Sequence, residues 1–69
     1  MTIFLFKNVR TVIEAEKVLV AKGVAVTIRP VPTDISSECG MCLQLSDGVA
    51  EVSSDMLHEK NISFQKVER

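Results

Sequence analysis

Two stretches of helical periodicity, each closed by a residue suited to left-handed backbone and each set between short alternating runs, restrict this chain most. The first follows Asn8, a helix-capping type, and puts Val12, Ala15, Leu19 and Lys22 on one stripe flanked by Val9, Ile13 and Val20. Glu14, Glu16 and Lys17 then face water. Gly23 stands where a left-handed helix end is needed, so the spacing predicts a helix over 9–22. The second stretch opens at Ser46 and Asp47, carries Val49, Val52 and Met56 beside Ala50, Ser53 and Leu57, and is closed by Asn61.

The runs around these helices read as strands. Thr2 to Phe6 is β-rich and apolar, and Val24, Val26 and Ile28 alternate with Ala25, Thr27 and Arg29. Pro30 and Pro32 end that second strand, because neither has an amide to give to a ladder. Met41, Leu43 and Leu45 alternate with Cys42, Gln44 and Ser46, and Ile62 and Phe64 with Ser63 and Gln65, with Val67 near the end. The order β-α-β-β-α-β predicts an α+β, ferredoxin-like domain over 1–69, a four-stranded antiparallel sheet with two helices on one face. Phe4 and Phe6 cannot share a face with Ile3 and Leu5, so one pair is expected on the uncovered side. A homodimer, or a swapped form, would cover it.

Size and composition then exclude several functions. A chain of 69 residues has a thin core and no room for a deep active site as well. Its 46% apolar and 25% charged content fits a globular protein rather than a disordered one. The net charge of −1, with no basic run and no tyrosine or tryptophan, argues against nucleic acid as a partner. Met1 to Phe6 is too short for a leader's apolar region and runs directly into Lys7, and no stretch reaches membrane-spanning length. A cytoplasmic protein is expected, with its thiols kept reduced.

Both cysteines lie in one loop and the strand after it, Pro30-Val31-Pro32-Thr33-Asp34-Ile35-Ser36-Ser37-Glu38-Cys39-Gly40-Met41-Cys42. In a reducing compartment this spacing points to redox, transfer or metal chemistry rather than a staple. Within the loop, Thr33 or Asp34 is placed to cap a helical turn that ends just before Cys39. The predicted topology brings the loop to the sheet edge that also holds Lys7, Asn8, Arg10, Arg29, His58 and Lys60. Cations gathered there favour a thiolate, while Glu38 and the second helix's C-terminal dipole oppose it. Cys39 sits in the loop with Gly40 leaving room for a partner, and Cys42, out of phase with Met41 and Leu43, points to the open sheet face. Zinc or an iron–sulfur cluster needs four ligands, and one chain offers Cys39, Cys42 and His58. Neither metal nor cofactor is expected unless a dimer completes a four-cysteine site. Met1, Met41 and Met56 read as core filler.

The run Pro30-Val31-Pro32-x-x-Ile35-Ser36-Ser37-x-Cys39-Gly40, preceded by Ala15-Glu16-Lys17-x-Leu19-x-x-x-Gly23-x-x-Val26, resembles the small bacterial selenium/sulfur carrier-like proteins. The likeness runs from the first strand to the third and is looser over the last helix and strand. It implies a stoichiometric carrier rather than an enzyme, holding sulfur or selenium as a persulfide or perselenide on Cys39 between donor and acceptor proteins. Cys42 lies outside that pattern. Arg29, Ser36, Ser37, Gly40, Lys7 and Arg10 are the candidate residues around the bound atom, against a plainer reading as caps, turns and strand ends. Two other functions fit the residues: an interaction or regulatory module with incidental cysteines, and a Cys39–Cys42 dithiol–disulfide switch.

Overall fold

The computed structural model describes residues 1–35 and 39–69, in the order β1 (Thr2–Leu5), α1 (Val9–Ala21), β2 (Thr27–Pro30), β3 (Met41–Leu45), α2 (Asp47–Glu59) and β4 (Gln65–Glu68). The predicted α+β architecture is the observed one. The four strands form one antiparallel sheet in the order β2-β3-β1-β4.

Each helix starts and stops for a local reason. Asn8 is extended and its Oδ1 accepts from the Thr11 amide at 2.9 Å, satisfying a donor that the first turn of α1 leaves over. Both C-termini close alike. Gly23 (φ 82°) donates to Val20 O at 2.9 Å and Val24 to Leu19 O at 3.0 Å; Asn61 (φ 58°) donates to His58 O at 3.0 Å and Ile62 to Leu57 O at 2.9 Å. In each case an apolar residue just past the left-handed position folds back on the last turn, Val24 on Leu19 and Ile62 on Leu57.

That closure explains where the strand boundaries depart from the alternating pattern. β2 begins at Thr27 rather than Val24, and β4 at Gln65 rather than Ile62. The residues between, Val24 and Val26 in one unit and Ile62 and Phe64 in the other, still pack on the core. They carry the chain from helix end to sheet without joining a ladder. α2 opens differently from expectation as well. Ser46 makes no side-chain cap bond, and Asp47 instead accepts from Thr2 Oγ1 at 2.7 Å and from the chain's amino group at 3.0 Å.

The two sheet faces are closed by different means. Phe4, Phe6, Leu43 and Leu45 meet Val12, Ala15 and Leu19 of α1 and Ala50 and Leu57 of α2 in one buried cluster. Phe64 adds its ring 4.4 Å from that of Phe4. Ile3, Leu5 and Cys42 form a second cluster on the opposite face, with Val31, Ile35 and Val67 against it. The pair expected on an uncovered side is therefore buried within the chain, Ile3 at 2% and Leu5 at 6% exposure. The covering is the segment after β2, which leaves the sheet edge and runs back across the second face. Asp34 on that segment takes both guanidinium nitrogens of Arg69, at 3.2 and 2.8 Å, just past the end of β4.

Candidate functional site

The registers bring the predicted edge together. Leu5 lies opposite both Cys42 and Gln65, and Pro30 opposite Met41, so β1 and β2 end where β3 and β4 begin. Cys39 and Gly40 stand on this edge immediately before β3, and the Val31 amide closes the loop on Gly40 O at 3.0 Å. Gly40 has φ 75°, a backbone that a side chain strains, which is why glycine follows the cysteine. Among the described residues, a Cβ there would meet nothing within 4 Å, so the space beside Cys39 is open on that side.

Cys39 is partly exposed and packs against the helix-side cluster. Its sulfur donates to Met41 O at 2.9 Å, which holds the side chain over the start of β3. Cys42 is only 1% exposed and belongs to the cluster on the other face. It faces the predicted side of the sheet, but that side is not open, because Val31 and Ile35 cover it. Burial pushes the Cys42 thiol above its ordinary value, the neighbouring Cys39 adds to this, and Arg29 beside it acts the other way. Both cysteines are thiols, and they sit against opposite faces of one sheet.

The remaining candidates divide. Lys7 and Arg10 are exposed and lie at the thiol-bearing edge, on the turn into α1 and in its first turn. Arg29 is opposite Cys42 in the β2–β3 register, so its charge acts on the buried sulfur. Ser36 and Ser37, proposed as donors to a sulfur anion, lie outside the described residues, as does Glu38. His58 stacks on Phe64 with ring centroids 5.2 Å apart, at the end of α2. The helical turn expected between Thr33 or Asp34 and Cys39 falls on residues 36–38, outside the described residues. Asp34 sits in a turn closed by the Ile35 amide on Pro32 O at 3.0 Å, and its carboxylate pairs with Arg69. Among the described residues, no group of three or more His, Cys, Asp or Glu side chains is placed to hold a metal ion.

A cavity of about 530 Å³ lies at the opposite edge of the sheet, lined by Met1, Ala25, Thr27, Gln44, Ser46 and Asp47 among others. Neither cysteine lines it. Among the described residues, no helix is long and apolar enough to cross a membrane.

The family model described as Putative Se/S carrier protein-like matches residues 1–68. The chain belongs to that family. Its match takes in the last helix and strand, over which the resemblance read from the sequence is loose. No curated protein and no solved structure matches the chain significantly. The family's description is that of a selenium/sulfur carrier-like protein.

The sequence reading missed the segment that closes the second face. Its signal is present in retrospect: Val31 and Ile35 are the two branched apolar residues of an otherwise polar and proline-rich loop.

Proposed function

We propose that this Se/S carrier-like protein carries sulfur or selenium on Cys39, for handover from a donor to an acceptor protein in the cytoplasm. The observation that supports Cys39 over Cys42 is the difference in access. One cysteine is partly exposed at an edge beside an open glycine, and the other is buried at 1% exposure with its thiol form favoured.

The chemistry is an exchange that needs no oxidant. The Cys39 thiolate attacks the terminal sulfur of a donor persulfide, the donor's S–S bond breaks, and the donor cysteine leaves as thiolate. Cys39 then bears a persulfide. An acceptor nucleophile attacks the outer sulfur, the new S–S bond breaks, and Cys39 returns as thiolate. Selenium follows the same sequence with a perselenide. Lys7 and Arg10, at the same edge, supply positive charge where the outer atom carries negative charge.

The test is incubation with a cysteine desulfurase and cysteine, read by intact mass. Wild type and Cys42→Ser gain one sulfur atom, and Cys39→Ser gains none. Equal loading of wild type and Cys39→Ser overturns the assignment. Loss of two hydrogens in wild type, with no sulfur gained by Cys42→Ser, identifies a dithiol switch instead. No change in any variant leaves an interaction module as the better reading.

A further inference from the structure

The outer strands of the sheet, β2 and β4, finish it in different ways. In an antiparallel ladder, alternate residues turn their backbone groups away from the neighbouring strand. The Val31 amide bonds to Gly40 O and Pro30 lies opposite Met41, so within β2 the outward residues are Ile28 and Pro30. Proline has no amide, which leaves that edge a single donor at Ile28. On the other side, the Arg69 amide bonds to Met1 O at 2.8 Å and Glu68 lies opposite Thr2, so Lys66 and Glu68 face outward from β4. Each offers an amide and a carbonyl, and among the described residues no strand lies beyond them.

The side chains of β4 say what fits there. Lys66 and Glu68, opposite Phe4 and Thr2, project from the same face of the sheet. Their charged ends are 3.8 Å apart at the surface, a loose pair that is easily exchanged. Val67 projects from the other face, beside Ile3 and Leu5, and is only partly buried.

We propose that β4 pairs antiparallel with β4 of a second copy of this chain, about a two-fold axis at Val67. In that register Lys66 stands opposite the second copy's Glu68, and Glu68 opposite its Lys66. Their outward amides and carbonyls bond to one another across the junction. The two copies of Val67 meet on the other face and continue the apolar strip that Ile3 and Leu5 begin. Centring the pairing on Lys66 or on Glu68 instead sets like charges opposite each other, so the charge pattern selects the register.

The product is one continuous sheet of eight strands, four from each copy, with the helices of both on the same face. The two-fold reverses strand direction, so the two cysteine-bearing edges point opposite ways. From β3 to its counterpart the order is β3-β1-β4-β4-β1-β3, which separates the two Cys39 positions by roughly 24 Å across the sheet. Such a dimer presents two independent thiols and completes no four-cysteine metal site. It also leaves the Ile3 face under its own chain's cover, unlike the face-covering dimer expected from the sequence. The contact is narrow, so association is reversible, and it does not depend on the carrier reading.

The test is sedimentation of the protein against concentration, with an exchange of charges. Wild type dimerises reversibly below about 1 mM. Lys66→Glu and Glu68→Lys each set like charges opposite one another at both ends of the junction, and each weakens the dimer about tenfold. Combining Lys66→Glu with Glu68→Lys restores association to within about twofold of wild type. Both side chains are at the surface, and an unchanged melting temperature confirms that the variants fold. Amide hydrogen exchange locates the contact: the Lys66 and Glu68 amides slow as concentration rises, and the Ile28 amide does not. A protein still monomeric at about 1 mM overturns the proposal. So does a dimer indifferent to the single reversals, or one not restored by the double variant. A dimer that leaves the Lys66 and Glu68 amides exchanging unchanged, as a contact through the exposed Val9, Ile13 and Val20 of α1 would, overturns it as well.

Discussion

The two faces of the sheet bury similar side chains and are protected very differently. On one, Phe4 and Leu43 lie beneath α1 and α2, and both are wholly inaccessible. On the other, Ile3, Leu5 and Cys42 lie beneath a short irregular segment held by a surface ion pair. Burial alone does not distinguish them, since Ile3 and Cys42 are almost as inaccessible as Phe4. The distinction is in what would have to move to expose them. Opening the helix face means moving two whole helices, whereas the other face is covered by a strap of a few residues, Val31–Ile35.

The sharpest test of this difference is a truncation on each face. Phe4→Ala removes a ring packed against Phe64 and the helix cluster, and should cost about 3–5 kcal/mol in denaturant unfolding. In so small a domain that removes most of the native population at room temperature. Ile3→Ala should cost about 2 kcal/mol, at the lower end for such truncations, because a strap settles into the space more readily than two helices do. Equal costs at the two positions would erase the comparison.

Smaller effects sharpen it. Asn8→Ala removes the cap of α1 and should cost about 1 kcal/mol with Cys42 unchanged in reactivity, since it acts on the other side of the sheet from that thiol. Acid should act on the strap. The Arg69 guanidinium holds Asp34 below its ordinary value of 3.8, so the tie stabilises the fold above that value and is lost as pH falls through the lower, folded value. Asp47 is lowered as well, chiefly by the Thr2 hydroxyl, and contributes in the same window. Asp34→Asn should therefore remove part of the acid sensitivity, measured as melting temperature against pH, and leave the part due to Asp47. An unchanged profile would show that the ion pair does not hold the strap.

The periodicities made most of this fold legible. Asn8, Gly23 and Asn61 mark three of the four helix ends because capping chemistry is local to a few residues. Strand starts were less legible: Val26 and Phe64 alternate like strand residues, yet they pack on the core as connectors, and only the closure at Gly23 and Asn61 reveals this. The edge bearing Cys39 followed from topology. The burial of Cys42 did not, because it depends on Val31 and Ile35 turning back across the second face, a tertiary contact with no periodicity to signal it. Arg29 illustrates the same limit: its place on β2 was predicted, but the register puts it beside Cys42.

The central claim is that one of the two cysteines is accessible at the sheet edge and the other is sealed beneath Val31 and Ile35. Alkylation of the native protein by a small haloacetamide, followed over time with peptide mapping, measures this at each cysteine separately. Cys39 should be modified first, with Cys42 reacting only as the strap is loosened by Ile35→Ala or the fold is denatured. Modification of Cys42 in the intact native protein as fast as Cys39, or ahead of it, would contradict the account.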